Sequence, residues 1–206
     1  MLTFDDVFVR RAGRGLFRPV SFALQPGEIM TLQGESGLGK STLLHALIAQ
    51  EPGVEFMGQI TLDGYQMDAD ARLSTESQTV FQEPLLFPHL SIGANIELSM
   101  HQCAAIARKA RVDQLLDQLG LQGMAIQDPF QLSRGQMMRV AVARALAPRP
   151  RVLLLDEPVS ALDTETREQV KQVIYEQVRN DGGYGILVTH YPDDRPIGGD
   201  MMCLTR

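Results

Sequence analysis

The segment Gly34-Glu-Ser-Gly-Leu-Gly39-Lys40-Ser41 constrains this chain more than any other stretch. It follows Glu28 to Gln33, a nearly continuous apolar run that reads as a buried strand. It precedes Ser41 to Gln50, which is rich in helix formers and stops before Glu51-Pro52-Gly53. Strand, glycine-rich loop and helix in that order fit G-x-x-x-x-G-K-[ST], a loop that wraps phosphates. Its glycines let several N–H groups turn inward, and the helix start adds the positive end of its dipole. In such a loop Lys40 reaches the β- and γ-phosphates and the Ser41 hydroxyl holds Mg²⁺. The bland alternative is a chance glycine-rich turn, which the flanking strand and helix argue against.

Two further segments carry chemistry. In Val152-Leu-Leu-Leu-Asp156-Glu157-Pro158 an apolar strand ends in adjacent carboxylates. That delivers Asp156 to the carboxyl edge of a sheet, where ligands bind in α/β folds. Asp156 can hold Mg²⁺ and Glu157 can orient or deprotonate a water, although a solvated strand end reads the same in isolation. Leu132-Ser-Arg-Gly-Gln136 lies just before a helix. Ser133 is a natural N-cap there, and the same helix start is a second place for an anion.

At 206 residues the chain suits one large domain or two small ones. Its 44% hydrophobic and 21% charged residues exclude disordered, collagen-like and disulfide-scaffold classes. A formal charge of −6 argues against a nucleic-acid partner. Cys103 and Cys203 are far apart and read as buried or idle thiols. The opening Met1-Leu-Thr-Phe-Asp-Asp predicts no secretory leader. The longest aliphatic run, Val152 to Leu155, falls far short of the about 20 apolar residues a bilayer-crossing helix needs.

Along the chain, residues 2–9 and 20–24 read as strands on either side of a basic, glycine-broken turn. Gln59 to Tyr65 carries the Asp63-Gly64 hairpin signal. Thr79 to Phe81 and Ile186 to Thr189 are expected as short strands, the latter as the last clear one. Helices are expected over Ala104–Leu119, Arg134–Ala147 and Thr164–Arg179. Strands alternating with helices imply a mostly parallel core sheet. Residues 1–30 and 56–66 are expected as an antiparallel β subdomain, and residues 85–130 as a helical insertion, within a single domain over 1–206.

The order of these motifs resembles the ATPase domain of ATP-binding cassette (ABC) transporters over essentially the whole chain. Gly34 to Thr42, taking in Glu35, Ser36, Gly37, Leu38, Gly39, Lys40 and Ser41, resembles Walker A. Gln82 falls at the Q-loop glutamine, and Leu132–Gln136 resembles the LSGGQ signature. Val152–Glu157 resembles Walker B with its catalytic glutamate, Ser160–Asp163 the D-loop, and His190 the switch histidine. Taken singly, Gln82 is also an ordinary polar strand end, His190 a surface histidine and Asp163 a helix cap. His45, His89 and His101 have no motif around them and read as structural or solvated.

The resemblance implies an α/β P-loop fold, ATP and Mg²⁺ as ligands, and a head-to-tail pair of ATPase domains. Each ATP would lie between Walker A of one copy and Ser133, Gly135 and Gln136 of the other. Glu157 would be the general base or water-positioner, Asp156, Ser41 and Gln82 the metal contacts, His190 a γ-phosphate contact, and Asp163 a link between the sites. Two positions depart from the family pattern. Arg134 stands at a signature glycine, and Arg10-Arg11 stand where an aromatic usually meets adenine. An arginine plane, Phe8 or Phe17 is then left to serve the base.

The stretch Gln82 to Ser91 resembles bacterial importer ATPases, and brevity with Asp128-Pro129 resembles the YnjD type among them. The chain ends soon after His190, so no appended regulatory domain is expected. The implied partners are transmembrane permease subunits and a periplasmic solute-binding protein. The implied place is the cytoplasmic face of the inner membrane. An exporter or lipoprotein-release ATPase, a soluble non-transport ABC ATPase and a P-loop kinase of a small metabolite are the competing readings.

Overall fold

A computed structural model describes residues 1–49, 52–67, 73–100, 104–196 and 199–206. Expectations at Gln50, Glu51, His101 and Cys103 lie outside the described residues. The antiparallel part begins with β1 (Leu2–Arg11), β2 (Arg14–Gly15) and β3 (Val20–Leu24). After β4 (Ile29–Gln33) and α1 (Lys40–Ile48) the chain returns to it as β5 (Val54–Leu62) and β6 (Tyr65–Gln66). β1 is the hub of this sheet, pairing antiparallel with β2, β3 and β5. The β5–β6 hairpin turns at Asp63 and Gly64, both at positive φ (51° and 87°), as a type I′ turn requires.

The rest of the chain adds β7 (Ser77–Val80), α2 (Ile92–Glu97), α3 (Ala105–Gln118), α4 (Arg134–Leu146), β8 (Val152–Asp156), α5 (Thr164–Asp181), β9 (Tyr184–Val188) and β10 (Asp200–Cys203). The order β10-β4-β9-β8-β7 makes a five-stranded sheet in which every pairing is parallel. This is the α/β arrangement with a mostly parallel core expected from the sequence. β8 and β9 at its centre are buried throughout, as a sheet covered on both faces demands.

β8 shows how the layers are held. Leu153 and Leu155 point into one core, with α3, α4 and α5. Val152 and Leu154 point into the other, with α1 and the antiparallel sheet. The period-2 alternation of one strand thus ties two hydrophobic cores together. Each fully buried Leu or Val contributes roughly 1.5–3 kcal/mol relative to exposure.

Two elements escape the sequence reading. β10 pairs with β4 although Asp200-Met-Met-Cys lacks β-branched residues. The strand at residues 186–189 is therefore not the last, and Cys203 on β10 is exposed rather than buried. The short helix α2 rests on a Ser91 cap rather than on a long apolar period.

Candidate functional site

Because the core sheet is parallel, the carboxyl ends of its strands share one edge, and four neighbouring ends carry the singled-out residues. β4 runs into Gly34, β7 into Gln82, β8 into Asp156 and Glu157, and β9 into His190. They meet in a cavity of about 950 Å³ lined by Gly34 to Gly37, Gly39 to Thr42, Gln82, Glu157 and His190, together with Arg11 and Leu16.

The loop after β4 is built for an anion. Gly39 caps α1 in the left-handed region (φ 99°), offers no side-chain cap, and the first helical turn holds no acid. By contrast α2, α4 and α5 each have a side chain accepting from their first N–H groups. The orphan donors of α1 therefore stay available. A Cβ on Gly39 would also lie 2.6 Å from Leu16 Cδ1, so any side chain there would displace Leu16 as well as strain the backbone. Lys40 is buried, and its Nζ donates to the Gly34 and Glu35 carbonyls at 2.8 and 2.9 Å. Leu38 turns the other way, into the core, and pins the loop to the sheet.

The Ser41 hydroxyl donates to Asp156 Oδ1 at 3.1 Å. Burial pushes the Asp156 carboxyl above the usual carboxylate range; the Ser41 hydrogen bond and the charges of His45 and Lys40 oppose this, and Glu157 reinforces it. Among the described residues no group of three or more His, Cys, Asp or Glu could hold a metal ion alone. One carboxylate and one hydroxyl oxygen nevertheless fit Mg²⁺, which takes few protein ligands and fills its octahedron with phosphate and water.

Glu157 sits at φ 50°, a conformation costing about 1–2 kcal/mol for a non-glycine residue. Its N–H donates to Val188 O at 2.9 Å and its carbonyl accepts from the Ser160 hydroxyl at 3.0 Å, which holds the strained turn. The side chain then meets His190 Nδ1 at 2.8 Å and, more loosely, Gln82 Nε2 at 3.5 Å.

Ser133, Gly135, Gln136 and Asp163 do not line this cavity. Ser133 and Gln136 form a reciprocal capping box on α4. A Cβ on Gly135 would lie 3.1 Å from Leu162 Cδ2, so the segment after Leu132 packs against the one before α5. Asp163 caps α5 through the Thr166 N–H, and that bond holds its carboxyl below the usual range. Arg134 pairs with Glu83, the residue after Gln82, at 2.7 Å. Of the groups left open for a base, Phe17 is buried in the core and Phe8 lies beneath Arg10. Arg11 and Leu16 line the cavity instead. Leu16 carried no signal of its own in the sequence.

Fold and cavity together define a P-loop nucleotide-binding domain. The sequence matches the ABC transporter family over residues 17–160. The chain belongs to that family, as an ABC-type ATP-binding, ATPase domain. It is 42% identical over 184 residues to the aliphatic sulfonates import ATP-binding protein SsuB 1 of Xanthomonas axonopodis pv. citri, covering 88% of this chain and 71% of that protein. It is 41% identical to the spermidine/putrescine import ATP-binding protein PotA of Chromobacterium violaceum, covering 92% of this chain. It is 40% identical to the Fe(3+) ions import ATP-binding protein FbpC 2 of Haemophilus influenzae, covering 85%. The chain spans about half the length of these last two, 53% and 50%. Among solved structures, a dimeric ATP-binding cassette in a post-hydrolysis state bound to ADP and Pi is 27% identical with a TM-score of 0.81, covering 100% of this chain and 94% of its own.

Proposed function

We propose that this chain hydrolyses ATP to power solute uptake through a membrane transporter, acting as a head-to-tail pair of copies. The observation that carries the reading is the convergence of the Lys40 loop, Gln82, Asp156, Glu157 and His190 on one sheet edge.

The α1 N–H groups and Lys40 bind the phosphates, Lys40 exchanging its carbonyl partners for phosphate oxygens. Arg11 and Leu16 receive the base. Asp156 and Ser41, with Gln82, would hold Mg²⁺, which would offset negative charge on the phosphates. Glu157 takes a proton from, or orients, the attacking water, and His190 beside it reaches the γ-phosphate. The placement of Ser133, Gly135 and Gln136 outside their own chain's cavity supports a second copy supplying them, and Asp163 between the two sites. The solved cassette that shares this fold is itself dimeric.

The permease is received at a separate groove of about 690 Å³ beside β7, where Phe81, Leu85 and Phe87 are among the lining residues. Arg144 donates to the Leu85 and Pro84 carbonyls at 2.8 and 3.0 Å, and Asn95 fixes Phe87 through its backbone. Exposed apolar side chains are thereby presented on a rigid backbone, which suits a helix from a membrane subunit. Among the described residues no helix is long and apolar enough to cross a membrane. Attachment to the cytoplasmic face of the inner membrane then runs through the permease. Uptake, with a periplasmic solute-binding protein, rests on the import names of the relatives. The narrower YnjD-type reading rests on Asp128-Pro129, where Asp128 caps the turn before the signature.

Ser133→Arg tests the paired arrangement. Binding of ATP to the isolated chain should persist while hydrolysis falls by at least about 100-fold, since transition-state contacts of this kind are worth that much. Loss of ATP binding itself would count against a role in trans.

A further inference from the structure

His190 is nearly half exposed, so something other than burial must hold its ring toward Glu157. Its imidazole lies on the ring of Tyr191, with centroids 3.9 Å apart and planes tilted by 40°. The guanidinium of Arg167 sits 4.8 Å from the centroid of that same ring. Arg167 Nε is buried with no hydrogen-bond partner among the described residues, so the aromatic ring is a principal neighbour of this charge.

Arg167 is set by its helix. Its N–H donates to Asp163 O at 2.8 Å in the first turn of α5. One and two turns further along the same face, Lys171 donates to the Asp193 carbonyl and Tyr175 to the Asp194 carbonyl. The loop after β9 is tied internally as well. Buried Asp194 accepts from the Thr189 hydroxyl at 2.6 Å, and that hydroxyl accepts from Tyr191 N–H at 3.0 Å. A stripe of residues on α5 therefore holds the loop that follows His190, and Arg167 backs the ring of Tyr191.

We propose that Tyr191 and Arg167 are positioning residues for His190, forming a cation-backed aromatic platform that aims the imidazole at Glu157. This rests on the hydrolytic reading above. Neither Tyr191 nor Arg167 lines the cavity, so the platform acts on turnover more than on nucleotide affinity. Tyr191 offers its ring face, so the phenol is dispensable.

The test is steady-state ATP hydrolysis, paired with the imidazole proton resonances of His190 in the ligand-free chain. Tyr191→Ala should lower kcat about tenfold, as small misplacements of a reacting group do, with KM within about twofold of the parent. Tyr191→Phe should restore most of that loss, and Arg167→Lys should do better than Arg167→Ala. In a His190→Ala background, Tyr191→Ala should cost nothing further, because its effect runs through the missing imidazole. Tyr191→Ala should also move the His190 resonances more than those of His45 or His89, a readout that needs no hydrolysis. Unchanged resonances and kcat, or an equal loss with and without His190, would overturn the platform. If the resonances move but the parent chain does not hydrolyse ATP, the platform stands and the hydrolytic reading fails.

Discussion

His190 Nδ1 lies 2.8 Å from Glu157 Oε1, although the two residues belong to different strand ends of the core sheet. β8 and β9 are parallel neighbours in register, Asp156 opposite Val188, so Glu157, one residue past its strand, and His190, two past its own, emerge at the same sheet edge. The strained turn at Glu157 then swings its carboxylate sideways, toward the loop after β9. A pair of polar side chains is in this way made by sheet register.

Asp156 carries a cost of the site. Its carboxyl is raised, chiefly by burial, so the folded protein holds that proton at a pH where the unfolded chain has released it. Between the ordinary aspartate pKa and the raised one, stability therefore falls as pH rises. Asp156→Asn should raise the ligand-free Tm at neutral pH and remove the Mg²⁺-dependent part of the ATP-induced thermal shift. Thermal melts with and without Mg²⁺ measure both.

The Arg134–Glu83 pair is exposed on both sides, 58% and 65%. Exposed pairs are worth at most about 1 kcal/mol and are screened by salt. Arg134→Gly should leave the denaturant midpoint nearly unchanged at about 1 M salt, where the Debye length is only about 3 Å. A large stability loss at high salt would show that Arg134 does more than meet Glu83.

Arg11 and Leu16 line the cavity apart from the phosphate loop and the strand ends. A guanidinium plane stacks on any base. Arg11→Ala should weaken ATP and GTP binding alike, by roughly tenfold for a stack worth about 1–2 kcal/mol, and leave tripolyphosphate binding unchanged. Titration calorimetry with the three ligands separates base from phosphate recognition.

Much of this is legible in the sequence. The buried run ending at Asp156, the glycine loop and the caps at Ser133 and Asp163 depend on local chemistry, and local chemistry is what a sequence displays. What depends on distant partners was not legible. β10 is a strand because β4 offers it an open edge, and its own residues do not declare it. Leu16 matters because Gly39 leaves room for it. Arg134 reads as a departure from a motif until Glu83, far away in sequence, is seen to meet it. Tyr191 follows His190 without comment in the sequence and becomes meaningful only beneath Arg167.

In the proposed mechanism Glu157 acts on water at an ATP shared by two copies. Glu157→Gln tests it most directly, because glutamine keeps the size and hydrogen bonds of the side chain and removes its basicity. The measurement is size-exclusion chromatography with ATP and Mg²⁺, alongside hydrolysis. Intact ATP binding, turnover lowered by at least about 100-fold, and a stable pair of copies with ATP that separates with ADP are expected. Normal turnover by this variant, or no ATP-dependent pairing, would contradict it.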